Sequence, residues 1–384
     1  MDIYLDNAAT TWVYPEVAET VRNIMCKDYG NPSSMHKKGA EAERIVKESS
    51  EKLASILRAK EKEIFFTSGG TESNNWALIG AAEANKRKGR RIITSRTEHA
   101  SVSAPLKYLE EHGYEIVRVG VDKKGMIRLD ELESAVNEDT VIVSVMLVNN
   151  EIGTVQNVAE IGRIIKRKKP DVIFHSDAVQ AFGKMKIDPK KMGIDLLSAS
   201  GHKIHAPKGT GFLYISEKVR ISPLIYGGGQ QNGMRSGTDN VPGIAGLAQA
   251  AEMIYSSLDE NRKKMYYLKN RMADGFAEMD KVVINSPENE LSAPHIINIS
   301  FTGIRSEVML HALEERGIYV SSGSACSSHR HTVSSTLEAI GCDRSKMESA
   351  VRFSFCETTS PDDIDETIRA IRDIVPVLRR YTRR

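Results

Sequence analysis

The sequence predicts an α/β protein: a large domain on a mostly parallel seven-stranded sheet, followed by a smaller α+β domain. Three observations predict it. From about residue 60 to residue 220, short Val/Ile-rich runs alternate with helical patterns, as expected when parallel strands are joined by helical crossovers. Each apolar run ends in a polar, Gly-rich or acidic turn. From residue 259 onward the alternation gives way to long charged helical stretches with only a few strands.

The elements follow in order. Ile64–Thr67 is a strand, and Ser68-Gly69-Gly70 leads from it into a helix from about Thr71 to Lys88. Arg91–Thr94 and Glu115–Val121 are the next strands. Thr140–Val148 reads as one long buried strand from its Val/Ile density. Val172–His175, Leu196–Ser198 and Gly211–Ile215 complete the sheet. A Gly-rich loop at Gly227–Gly229 precedes a helix from Pro242 to Leu258. In the second domain, strands are expected at Ile296–Phe301 and Ile318–Ser321, and helices at Glu307–Arg316 and Ile364–Arg379. The large domain is expected to span residues 13–258. The small one takes residues 1–12 and 259–384.

Composition narrows the function. Lys and Arg total 53 against 51 Asp and Glu, and a formal charge of +2 argues against direct nucleic-acid binding, which needs a concentrated basic surface. Basic runs at Lys86–Arg91, Lys166–Lys169 and Arg379–Arg384 read as solvated helix ends. The N-terminus carries no secretory pattern, and the longest nearly apolar stretch is far short of the ~20 residues of a membrane helix. A cytoplasmic protein without a membrane segment is expected. Cysteines stand at Cys26, Cys326, Cys342 and Cys356; no two form a CxxC pair, and no zinc-site spacing is visible, so no metal site is expected.

The chemistry-bearing residues collect at the strand tips, where open α/β sheets bind ligands. Ser68–Ser73 places glycines between a strand and a helix, a setting that suits an anion, although a plain helix cap is an alternative. It lacks the Gly-Lys-Ser/Thr ending of a nucleotide loop. Asp177 and Gln180 follow one strand, and Ser200-Gly201-His202-Lys203 follows the next. Asp177 and Lys203 are thus about one βαβ unit apart, which would raise a carboxylate and an amine side by side. Pyridoxal 5′-phosphate needs such a set: a lysine amine for a Schiff base, an acid for its ring nitrogen and an anion site for its phosphate. His99, at another strand tip, is placed to stack on a ring. Ser321–Ser328 is a run of small residues around Cys326, read as a mobile loop carrying an accessible thiol. Arg352, on a strand-like run, would grip a carboxylate or make an ordinary ion pair.

Together these motifs resemble the cysteine desulfurases of the NifS/IscS type, within the class V aminotransferase family of fold-type I pyridoxal-phosphate enzymes. The resemblance runs nearly end to end. It includes Asp6–Thr11, Gly30–Ser34 with His36, Thr67–Ser73, Glu98-His99, Val148–Gly153, Asp177–Gln180, Ser200–Lys203, Pro207–Gly209, Arg235–Thr238, Ser321–Ser328 and Arg352. Gly201 stands where many members have Ala, and Cys356 belongs to no motif of the family. Cys26, Cys342 and Cys356 read as structural or incidental thiols.

The resemblance implies a role for each matching residue. Lys203 would bind the cofactor covalently, Asp177 would pair with its ring nitrogen and Gln180 with its ring hydroxyl. His99 would stack on the ring and move protons. Gly70, Thr71, Ser200 and His202 would hold the phosphate, with Thr238 reaching it from the other subunit of a homodimer. Asn150 would contact cofactor and substrate, Arg352 the substrate carboxylate, and Cys326 would be the nucleophile. The implied activity takes sulfur from L-cysteine, releases L-alanine and leaves a persulfide on Cys326 for an iron–sulfur scaffold or another acceptor. A selenocysteine lyase or aminotransferase of the same fold, or a non-catalytic sulfur-relay protein, are the alternatives.

Overall fold

The structure is a computed structural model that describes residues 2–322 and 334–381. Its strands are β1 (Ile3–Tyr4), β2 (Ile64–Thr67), β3 (Arg91–Ser95), β4 (Glu115–Val119), β5 (Thr140–Ser144), β6 (Ile173–Asp177), β7 (Leu196–Ser200) and β8 (Gly211–Ile215). They continue with β9 (Val282–Ile284), β10 (Ile296–Phe301), β11 (Ile318–Tyr319), β12 (Ser321–Ser322) and β13 (Ala350–Ser354).

The seven-stranded sheet has the order β2-β8-β7-β6-β5-β3-β4. The run from β4 to β7 is parallel, whereas β8 is antiparallel to both its neighbours. Every residue of β5, β6, β7 and β8 is buried, while β4 at the edge is partly exposed. Both faces of the central strands are therefore covered, which is why their sequences are near-continuous apolar runs. Helices such as Lys37–Leu57, Val158–Lys168 and Val241–Ser256 supply that cover, and their apolar stripes join the same core as Phe174, Phe182 and Phe212.

A second sheet has the order β12-β13-β10-β9 and is wholly antiparallel. The helices Leu258–Phe276, Ser306–Glu314 and Pro361–Tyr381 pack with it around Phe276, Phe301, Phe353 and Ile371. Ile3 and Leu5 from the N-terminus belong to this second core. We propose the domain division 13–258 against 1–12 with 259–384 on this separation of cores.

Three expected strands end early or divide, the first being the one expected over 115–121, which ends at Val119. The strand expected over 140–148 stops at Ser144. Val145 and Leu147 still donate backbone hydrogen bonds to β6, but the Met146 N–H turns instead to the Glu98 carboxylate at 3.0 Å. The strand expected over 318–321 is two short strands: β11 pairs with β1, and β12 pairs with β13. The helix after Gly69 runs from Gly70 to Asn85 with a wider turn at Trp76–Gly80. Among the described residues, no helix is long and apolar enough to cross a membrane.

Candidate active site

The parallel strands deliver their carboxyl ends to one edge of the large sheet, and the polar residues of the sequence motifs sit there. Asp177 is the last residue of β6, and Ser200 is the last of β7. A tight turn over Gly201–Lys203 carries the chain straight on to the lysine. Register fixes their closeness, because Asp177 pairs with Ser198 across the parallel ladder.

Asp177 is 5% exposed. Its Oδ2 accepts from the Asn74 side-chain amide at 2.7 Å and its Oδ1 from the Val179 N–H at 2.9 Å. Burial nevertheless raises its pKa, with Val179, His99, Asn74 and Lys203 pulling the other way. The carboxylate is thus desolvated and short of positive charge. Lys203 Nζ donates to the carbonyls of Ala8 at 2.7 Å and Ala9 at 2.5 Å, so the N-terminal segment crosses directly over the amine. Gln180 Nε2 donates to the same Ala8 carbonyl at 2.9 Å, and its Oε1 lies 3.3 Å from His295 Nε2.

His99 caps the helix Ala100–Glu111. Its Nδ1 accepts from the Ser101 N–H at 3.1 Å and lies 2.8 Å from Ser101 Oγ. The neutral ring therefore keeps its proton on Nε2. Ser101 Oγ in turn accepts from Asn74 at 2.8 Å, so one amide joins His99 to Asp177 through a hydroxyl. Beside it, the Glu98 carboxyl accepts from Ser95 Oγ at 2.6 Å, and burial pushes its pKa up to about 8. Asn74, Ser101 and Glu98 are absent from the candidate set drawn from the sequence. Only Glu98 carried a signal, its place beside His99 in a motif; a buried Asn on a helix and a Ser beside a cap look ordinary in one sequence.

The start of the helix at Gly70 packs against the turn after β6. A Cβ on Gly70 would lie 2.6 Å from Val179 Cγ2, so a side chain there would push the helix off this edge. Gly69 has φ +147°, and a Cβ there would meet Ser200 Oγ at 3.5 Å. Thr71 is exposed at the helix start. His202 Nδ1 lies 3.2 Å from Thr10 Oγ1, and burial beside Lys203 drops its pKa to about 4, leaving it a neutral hydrogen-bonding group.

Arg352 comes from the other sheet, in the middle of β13, and is 3% exposed. It donates to Asp6 Oδ1 at 2.8 Å and to the Asn150 carbonyl at 2.8 Å, while its buried Nε has no hydrogen-bond partner among the described residues. Thr238 stands apart, exposed in the loop after Arg235. That loop is anchored to the helix that starts at Gly70 by Arg235, which pairs with Glu72 at 2.9 Å. Cys326 lies outside the described residues. The structure therefore gathers Gly70, His99, Asp177, Gln180, Ser200, His202 and Lys203 at one sheet edge, and turns Arg352 and Asn150 toward each other beside it.

Comparison with known proteins gives the same picture at the level of the whole chain. The family described as aminotransferase class-V matches residues 3–367. A protein named cysteine desulfurase IscS from Methanosarcina thermophila is 42% identical over 377 residues, covering 98% of this chain and 93% of its own. A solved structure titled NifS-like protein has a TM-score of 0.93 at 40% identity and covers 98% of this chain and 100% of its own. Another, titled SspA in complex with cysteine, has a TM-score of 0.82 at 31% identity and covers 94% and 100%.

Proposed function

The chain belongs to the class-V aminotransferase family, and we propose that it is a pyridoxal-phosphate-dependent cysteine desulfurase, which removes sulfur from L-cysteine and leaves L-alanine. The observation that carries this reading is the buried Asp177 carboxylate held one strand away from Lys203, in a chain 42% identical to a protein of that name.

The residues present fit the cofactor. Asp177 is a desolvated carboxylate that gains from a cationic ring nitrogen, and Gly70 lets the helix start pack close against Val179 and Ser200, which a Cβ would prevent. Lys203 would hold the group covalently. Asp177 and Gln180 would fix its ring edge, His99 would lie against its face, and Gly70, Thr71, Ser200 and His202 would take its phosphate. When bound, pyridoxal phosphate supplies an electron sink for bonds broken next to the amino-acid α-carbon.

The chain's own groups then have defined tasks. The Arg352 guanidinium, with its orphaned Nε, binds the substrate carboxylate, sharing its other N–H groups with Asp6 and the Asn150 carbonyl. His99 holds a movable proton on Nε2, because Ser101 occupies Nδ1. Lys203 would hold or move a proton at Nζ beside the substrate amine. The Cys326 thiolate attacks the substrate sulfur. A sulfur–sulfur bond forms while the carbon–sulfur bond breaks with its electrons left on carbon, which takes a proton on the way to alanine. Cys326 keeps the transferred sulfur as a persulfide for delivery to an iron–sulfur scaffold or another sulfur acceptor. The working unit on this reading is a cytoplasmic homodimer, with Thr238 of each subunit reaching the phosphate site of its partner.

Mass spectrometry after incubation with cysteine tests the reading. The wild-type protein gains one sulfur on Cys326 and releases alanine. Lys203→Ala, folded, does neither. Cys326→Ser binds the cofactor but forms no persulfide. A persulfide on Cys356 with an active Cys326→Ser variant would overturn the assignment of the nucleophile. Alanine released without any protein persulfide would favour a lyase of the same fold.

A further inference from the structure

Behind the lysine turn, two chain segments far apart in sequence bring together an imidazole, a thiol and a carboxylate that the activity above leaves unused. His205 follows Lys203 by two positions, and Cys356-Glu357 follows the end of β13. Their donor atoms all lie within 4.8 Å of one another, and His205 and Cys356 are buried. They are far apart in sequence, so no motif spacing reveals them.

The imidazole is held in the manner of a metal ligand. His205 occupies the left-handed region at φ +60°, which is uncommon for a residue with a side chain. Its ring is stacked on Tyr14 at 4.3 Å and edged by Trp12 at 5.3 Å. Nδ1 lies 2.9 Å from the Trp12 carbonyl, which can only accept, so Nδ1 carries a proton; against the effect of burial, Cys356 and Glu357 raise the ring's pKa, and Nε2 is the nitrogen left for an ion once its own proton is released. The His205 side chain has no exposed surface, and its Nε2 lies 3.2 Å from Glu357 Oε1 without making a well-aligned hydrogen bond among the described residues. Nε2 thus lies within reach of both the carboxylate and the thiol. The carboxylate is itself fixed from outside, since Tyr14 donates its hydroxyl to Glu357 Oε1 at 2.5 Å.

We propose that His205 Nε2, Cys356 Sγ and the Glu357 carboxylate bind a thiophilic divalent cation, with Zn²⁺ the probe. Nitrogen, sulfur and oxygen donors are the set that zinc accepts, and three protein ligands leave its fourth tetrahedral position for water. Tetrahedral ligand atoms stand roughly 3.3–3.8 Å apart, so the side chains close by about 1 Å. Binding releases the Cys356 thiol proton and the proton that His205 Nε2 shares with Glu357 to solvent, and thiolate plus carboxylate neutralise the ion in full. The bound ion ties the turn after Lys203 to the strand that carries Arg352, and so fixes the two sheets against each other.

The test is metal analysis of the cofactor-loaded protein after equilibration with micromolar free zinc and desalting. Wild type and Cys326→Ser each retain one ion per chain, and cobalt in its place gives the visible bands of a tetrahedral thiolate site. Cys356→Ala and Glu357→Gln, both with the cofactor absorbance intact as proof of folding, lose it. Tyr14→Phe weakens it by about 10–100-fold, since an outer-shell partner is removed. Zinc retained by Cys356→Ala but lost from Cys326→Ser would place the metal elsewhere and overturn the proposal, as would a wild-type protein that retains none.

Discussion

The amide of Asn74 donates both its N–H groups, one to Asp177 Oδ2 and one to Ser101 Oγ. Removing it leaves a buried carboxylate oxygen short of a donor, a loss of about 1.5–3 kcal/mol for a hydrogen bond to a charged group. The Asn74→Ala variant is therefore expected to lose about 10–100-fold in cofactor affinity, at about tenfold per 1.4 kcal/mol. Fluorescence titration of the cofactor-free protein checks it. Ser101→Ala should leave that affinity nearly unchanged and lower turnover instead, because it frees the His99 ring rather than the Asp177 carboxylate. If both variants behave alike, the chain from His99 to Asp177 is not two separable links. Lys203, Asp177 and His99 could be picked out of the sequence because they stand at successive strand tips as a set; singly, each reads equally as a cap, a surface lysine or a structural histidine. Asn74 was not legible, because its value comes from partners 27 and 103 positions away.

Lys269 shows what a helix can conceal. It lies in Leu258–Phe276, whose sequence reads as a charged surface helix, yet it is 6% exposed. Its ammonium reaches Ser292 Oγ and the Ala293 carbonyl, and burial pulls its pKa down to about 7. Between pH 7 and the ordinary lysine value the unfolded chain binds more protons than the folded one, so stability rises with pH across that window. Below pH 7 the folded protein bears the whole cost of a buried charge. Urea midpoints of the wild type should climb from pH 7 to pH 10, and those of Lys269→Met should stay flatter. Equal slopes would mean that the amine is solvated after all. Strand ends are legible or not for related reasons. The central strands declared themselves by Val/Ile density, but the early end of β5 at Ser144 depends on Glu98 capturing the Met146 N–H, a contact across 48 positions.

The whole molecule joins two sheets through short cross-chain contacts. Arg352 reaches Asp6 and Asn150, Tyr14 reaches Glu357, and residues 6–11 lie over the lysine turn. The division into an α/β part and an α+β part was legible from the change in pattern near residue 259. The way the parts close on each other was not, because long-range pairing leaves no periodic trace in a sequence. The assembly is expected to be a two-fold homodimer, the commonest closed symmetry. Light scattering should give twice the chain mass at assay concentration. Thr238→Ala should loosen the cofactor by about tenfold, the weight of one hydrogen bond to a charged group. A fully active monomer would contradict both expectations.

The threading of the first residues over Lys203 also has a meaning for synthesis. Asn7 and Ala8 are tied to Ser354, in the Ala8 case across 346 positions, and β1 pairs with β11. At roughly 5–20 residues per second, a ribosome makes the tying strand about 20–70 s after the segment it holds. The large sheet can assemble during that interval, but the tie that pins the cover over its lysine cannot form. A nascent chain would therefore bring its reactive amine into place before the roof above it is pinned, and capture of an aldehyde by the growing polypeptide would precede the appearance of a closed, substrate-ready pocket.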